Sequence, residues 1–230
     1  MRIANESASA EAFQVTQQIC AERRWAGRLL SLYWRFVFFL TRVIERLYKQ
    51  RLPARITAKV LNFGCGNNFI DDAVNSDLMA PHRWIVGRRQ PDLYWSGTRS
   101  LPFLRGYFTG IVCEHVIEHL FPNQTLTLLT HFRTLLQSSG VLVVSFPDVQ
   151  RVLAGGLCQG YRSPTVSVNA LIYRHGHCFM YDIDLVKELL LQAGFKKVIA
   201  GGFSELPLRD FLDAGREPES SYVMAYACSE

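Results

Sequence analysis

No stretch of this sequence approaches the ~20 consecutive apolar residues that a bilayer-spanning helix requires. The longest apolar run, LLSLYWRFVFFL at residues 29–40, is interrupted by Arg35. Closely spaced cysteine pairs are also missing. Cys20, Cys65, Cys113, Cys158, Cys178 and Cys228 form no CxxC and no dense framework, and several lie in apolar runs, which fits reduced thiols in a cytoplasmic protein better than disulfides. The first 20 residues are polar and contain neither an apolar stretch nor a cleavage-like site, so no signal peptide is expected. Internal repeats and low-complexity tracts are absent.

What is present is a chain of 230 residues, 49% hydrophobic, enough for one domain with a substantial core. Its net charge of +5 is uneven: residues 1–59 hold 11 Lys+Arg against 4 Asp+Glu, and the remainder 14 against 16. A slightly acidic body speaks against nucleic acid as the partner and confines attraction for anionic surfaces to the N-terminal end. We divide the chain into an N-terminal amphipathic helical segment, 1–56, and a domain, 57–230. In the former a long helix is expected from Arg24 to Gln50, closed by Pro53.

From there strands alternate with helices. Strands are predicted at 58–63, 73–76, 93–95, 108–113, 141–146, 196–200 and 221–228. Helices are predicted at 122–139, opened by Pro122 and stopped by Gly140, and over IDLVKELLLQA, capped by Asp182 and ended by Gly194. Residues 149–180 read as irregular. Alternation of this kind implies a parallel sheet, with the last two strands able to pair antiparallel at an edge.

Three features could carry chemistry. Asn62-Phe63-Gly64-Cys65-Gly66-Asn67-Asn68 follows the first strand, and a Gly-x-Gly there lets the backbone turn tightly and approach a ligand. Asp77 closes the second strand, where an acid suits bidentate hydrogen bonding to ribose hydroxyls, or a loop ion pair. Leu101-Pro102-Phe103 precedes FTGIVCEHVIEHL at 108–120, whose strand delivers Glu114 and His115 to the carboxyl edge of the sheet, where open α/β sheets bind ligands.

GCG after a strand, an acid ending the next, LPF, and a strand running into EHVIEHL together resemble the class I S-adenosylmethionine-dependent methyltransferases. The later HGHCFMYDIDLVKELLLQAGFKKV is similar to their C-terminal segment. The pattern is most similar to a type 11-like subgroup of predicted bacterial methyltransferases, and the resemblance covers roughly residues 57–228. It implies a Rossmann-like doubly wound, mostly parallel seven-stranded sheet with an antiparallel edge hairpin, S-adenosylmethionine as cofactor, and a small-molecule, sugar or glycan acceptor. By position it implies that Asn62, Gly64, Cys65, Gly66, Asp77, Leu78, Ser96, Gly97 and Glu114 surround the cofactor. The chain departs from the family pattern at Asn62, where an acid is usual, at Asn68, in place of a third glycine, and at Gly97, near the adenine. Those departures leave open a non-catalytic binding or regulatory protein on the same fold. A nicotinamide-dependent oxidoreductase is a weaker alternative. Only about ten residues link the first two strands, near the minimum for a parallel crossover, so the first helix is expected to be little more than a turn.

His115 or His175 suits a general base for an acceptor hydroxyl, because imidazole titrates near neutrality. His115, His119, His175, His177 and Cys178 could also be assembled into a metal site, but HxxxH with Val116, Ile117 and Leu120 fits a helix start packed on the sheet better, and no metal is expected. Asp148 reads as a turn cap in Phe-Pro-Asp, and Arg174 as a surface ion-pair residue. In the N-terminal segment, Arg28, Arg35, Arg42 and Lys49 share heptad spacing among Leu, Tyr, Trp and Phe. That pattern suits a peripheral contact with an anionic membrane, or packing on the domain or across a homodimer through residues 24–51.

Overall fold

The computed structural model describes residues 57–78, 89–154, 161, 163–173 and 176–228, together with helical positions Gln14, Gln17, Leu32, Phe36, Phe39, Leu40 and Val43. Most of the N-terminal segment, including Arg28, Arg35, Arg42 and Lys49, lies outside the described residues, as do Arg174 and His175.

Seven strands form one sheet: β1 (Val60–Phe63), β2 (Ala73–Asp77), β3 (Leu93–Tyr94), β4 (Phe108–Glu114), β5 (Leu136–Pro147), β6 (Lys197–Gly201) and β7 (Ser220–Tyr226). Their order is β3-β2-β1-β4-β5-β7-β6. β1 pairs in parallel with β2 and β4, and β3 and β5 extend the sheet in parallel on either side. β7 runs antiparallel to both β5 and β6, which makes the expected edge hairpin. Because the chain crosses from β3 to the far side of β1 before laying down β4, the strand order reverses between β1 and β4. That reversal opens a crevice at their carboxyl ends.

Four helices flank the sheet among the described residues: α1 (Pro122–Leu135), α2 (Val149–Leu153), α3 (Pro164–Tyr173) and α4 (Ile183–Gln192). In α4 the Asp182 carboxylate accepts the Leu185 amide at 2.8 Å, and Gly194 adopts φ 96° just beyond the end. The Phe195 amide folds back onto the Leu190 carbonyl, so both predicted ends stand.

Elsewhere the expected boundaries move. α1 stops at Leu135, not Gly140, because Leu136 turns extended and pairs with Phe108. Gly140 instead lies within β5, near the register shift between Phe108 and Gly110. A Cβ there would meet Leu136 Cδ2 at 2.9 Å. The stretch 149–180 is not wholly irregular: Asp148 caps α2 through Gln150, Pro164 opens α3, and Val152 and Leu171 bury against each other. A five-residue helix offers too short a period to be read from apolar spacing.

The main core packs α1 and α4 against one face of the sheet, around Leu61, Ile111, Leu129, Phe132, Leu142 and Leu190. Under β1, Phe63, Trp95 and Phe132 meet edge to face at centroid distances of 5.1–5.9 Å. That arrangement favours aromatic pairs beyond simple area burial.

Candidate active site

The link between β1 and β2 contains no helix: nine residues, 64–72, cross as turns. A polar staple takes the helix's place. Asn62 and Asn75 are register partners on adjacent strands, and both are buried. Asn62 Nδ2 donates to the Asn68 carbonyl at 2.9 Å and to Asn75 Oδ1 at 3.1 Å. Asn75 Oδ1 also accepts the Ile70 amide at 2.9 Å, and Nδ2 donates to the Ile70 carbonyl at 2.8 Å. A loop with no ladder of its own thus has its backbone polar groups satisfied from below. An acid at position 62 could not donate these bonds, which accounts for asparagine there.

The glycine turn rests on β2. The amides of Gly64 and Cys65 both donate to the Ser76 carbonyl, at 2.8 and 3.0 Å. The Gly66 amide donates to Asp77 Oδ2 at 3.0 Å, and the Leu78 amide to Asp77 Oδ1 at 2.7 Å. The carboxylate is therefore aimed at the turn. The two glycines differ. Gly64, at φ 72°, makes room for protein: a Cβ there would lie 2.3 Å from Val116 Cγ2. A Cβ on Gly66, at φ 51°, would meet nothing among the described residues nearer than the Gly64 carbonyl at 4.0 Å.

Segment 95–98 completes this side. Trp95 is fully buried, and its Nε1 donates to the Arg99 carbonyl at 2.8 Å. Gly97 has φ 75° and packs so closely that a Cβ would sit 2.4 Å from Leu128 Cδ1 and 3.2 Å from Phe63 Cζ. A longer acidic side chain has no place there, which explains that departure. Ser96 and Thr98 hydroxyls pair at 2.8 Å on the exposed rim.

At the end of β4, both Glu114 oxygens accept the Asp213 amide, at 3.1 and 3.3 Å, and burial raises the Glu114 carboxyl above its ordinary range. His115 has φ 51°, the one positive value outside glycine among the described residues. Its Nε2 lies 2.6 Å from Ser220 Oγ. Because that hydroxyl donates to the Arg216 carbonyl at 2.7 Å, its oxygen accepts from Nε2–H, and the lone pair of the ring falls on Nδ1. Burial, reinforced by the Arg216 guanidinium, lowers His115 to about 3, so the ring is neutral and weakly basic. Asp148 is occupied as a cap, accepting Gln150 N–H at 2.8 Å and the Ser221 hydroxyl at 2.6 Å.

Asn62, Gly64, Cys65, Gly66, Asp77 and Leu78 thus converge on one turn. Ser96 and Gly97 lie beyond β3, and Glu114 and His115 end β4. Sequence reasoning missed Asn75, whose signal was an asparagine in the apolar β2 at the same register as Asn62. It also passed over Glu118, buried to 1% exposure, with its carboxyl pushed by burial up to about 8.

A seven-stranded sheet of this order, with a glycine turn and facing acid at the switch point, defines the architecture of class I methyltransferases. The chain belongs to the methyltransferase domain family, whose sequence model matches residues 33–199. It is an enzyme of that family, and its cofactor is S-adenosylmethionine. The fold is similar to that of a SAM-dependent methyltransferase from Archaeoglobus fulgidus, at 16% identity, covering 83% of this chain and 94% of that one, with a TM-score of 0.47. A SAM-dependent methyltransferase from Thermotoga maritima is similar at 15% identity, covering 90% and 97%, also with a TM-score of 0.47. No curated protein matches the sequence.

The residues present fit the cofactor. Asp77 holds its carboxylate at the end of β2 against the glycine turn, where an acid suits ribose hydroxyls, and Gly66 brings backbone without a side chain to the same place. They do not fit a dinucleotide. The three turn amides that would cradle a pyrophosphate donate to Ser76 and Asp77, and no helix N-terminus follows them.

Proposed function

We propose that the chain methylates a small-molecule, sugar or glycan acceptor at the carboxyl edge of β1, β2 and β4. The observation that carries this is Asp77 turned onto the glycine turn, its Oδ2 accepting the Gly66 amide. S-adenosylmethionine supplies an electrophilic methyl carbon on a sulfonium. Asp77 holds the ribose, Gly66 and Cys65 form the floor under the amino-acid part, and Ser96 and Gly97 flank the adenine. Glu114 and His115 border the acceptor side. A weakly basic His115 points to catalysis by alignment and exclusion of water more than by proton abstraction. The mildly acidic body of the chain supports a low-molecular-weight or glycan acceptor over nucleic acid. Incubation with methyl-labelled cofactor and separate pools of hydroxylated small molecules, oligosaccharides and lipid-linked glycans tests this. Label should enter one of these pools; label entering only nucleic acid or protein would contradict the assignment.

The N-terminal segment supports a cytoplasmic enzyme that touches a membrane surface. Leu32, Phe36 and Phe39 are 54–62% exposed at helical spacing, in a segment rich in arginine. Pairing two such segments would oppose like charges, whereas an anionic bilayer would attract both the apolar and the basic residues. Among the described residues no helix is long and apolar enough to cross a membrane. Flotation with phosphatidylserine vesicles should carry the full chain and lose it on deletion of residues 1–52; binding that survives the deletion would remove this contact.

A further inference from the structure

The segment after β4 does more than support the glycine turn. Val116 packs on Gly64 and Ile117 enters the core, but Glu118 buries a carboxyl group whose two oxygens meet no hydrogen-bond partner among the described residues. Leaving such a group unsatisfied is costly. The main chain of the same residue fixes the facing wall. The Glu118 carbonyl accepts the Cys178 amide at 2.7 Å and the Phe179 amide at 3.2 Å, which pins the loop bearing His177. His119 lies with its ring 5.0 Å from that of His177, at 72°. Donor atoms of Glu118, His119 and His177 all fall within 4.8 Å of one another.

Neighbouring groups set the tautomers. The Gly176 carbonyl can only accept, so His119 Nδ1, 3.2 Å away, donates to it. The lone pair of His115 Nδ1 faces Glu118 Oε1 at 3.6 Å. The two atoms stand beyond hydrogen-bond distance of each other. Imidazoles beside a buried carboxyl group without hydrogen-bond partners are an arrangement a bound cation resolves, with the Gly176 carbonyl in the orienting role that outer partners play at metal sites.

We infer that Glu118, His119 and His177 bind one divalent transition cation of the zinc class, with His115 Nδ1 flanking the carboxylate. Two imidazoles and a carboxylate match that class better than magnesium or calcium, which favour all-oxygen shells. Tetrahedral donors at about 2.1 Å from an ion stand about 3.4 Å apart, so a modest contraction of this group completes the shell. Three protein donors leave a position open to water or an oxygen of an acceptor. Burial decreases from Glu118 through His177 to the exposed His119, which gives an ion a path in from solvent. The left-handed backbone at His115 adds an independent sign, since strain of this kind collects at functional sites. Metal binding here does not depend on the acceptor proposed above.

The test is titration of chelator-stripped, tag-free full-length protein with zinc and with cobalt(II). The wild type should take up one equivalent, and cobalt should give visible bands of a low-coordinate nitrogen–oxygen site. His119→Ala, His177→Ala and Glu118→Gln should each weaken zinc binding about tenfold or more, while Cys178→Ser leaves it unchanged. His119 is exposed, so its variant keeps the test valid if Glu118→Gln fails to fold. No uptake by the wild type, or equal affinity in the His119 and His177 variants, overturns the site. S-adenosylhomocysteine binding measured on the same samples separates this outcome from a failure of the cofactor assignment.

Discussion

Two parts of the sheet's carboxyl edge are built by opposite means. At β1 and β2, the side chains and amides that tie down the turn lie within 16 residues, from Asn62 to Asp77, and bond largely to one another. At the end of β4, Glu118 is surrounded by groups from distant parts of the chain, with the loop at 176–179 on one side and His115, held by Ser220, on the other. The first region ties its turn down with hydrogen bonds of its own. The second buries a carboxylate without satisfying it.

The contrast between the two glycines gives the largest expected effect. Gly64→Val forces a side chain into Val116 at a left-handed position and should cost about 2–5 kcal/mol of stability in a urea titration. A loss under 1 kcal/mol would mean that the turn is not packed as described. Asn75→Leu removes the staple under the same turn and leaves Asn62 and the Ile70 backbone without partners. It should cost about 2–4 kcal/mol, read by the same titration, and an unchanged midpoint would show that the loop holds without it. Gly66→Ala is the sharp counterpart. With no atom of the described residues crowding its Cβ, it should lower stability by only about 1 kcal/mol, the strain of a left-handed alanine, yet weaken S-adenosylhomocysteine binding in calorimetry. If it destabilises as much as Gly64→Val, the two glycines do not divide the work between packing and ligand.

The same contrast explains what could be read from the sequence. Sheet, edge hairpin, glycine turn and Asp77 were legible because strands, glycine bends and an acid at a strand end are local signals. The absence of a first helix was legible from the short link alone. The Asn62–Asn75 pair was not, since it needs the register of two strands, although asparagine twice in apolar strands was its trace. Gly97 looked like a missing acid until its contacts with Leu128 and Phe63 showed that no side chain fits. The histidines were visible as a pattern, but HxxxH on an apolar segment gives no hint that Glu118 would be the buried partner. Only the backbone bonds from Cys178 and Phe179 bring His177 to it. Helix α2 was lost to its shortness, and Gly140 was taken for a helix stop when it serves an irregularity in β5.

The cofactor assignment turns on one carboxylate, and paired calorimetric titrations of S-adenosylhomocysteine into the wild type and Asp77→Ala address it directly. The wild type should bind one equivalent, and the variant should lose about 1–3 kcal/mol of affinity, the scale of charged hydrogen bonds, while keeping its fold. Equal affinity in the two proteins, or no heat from the wild type, would contradict the placement of the cofactor at this turn.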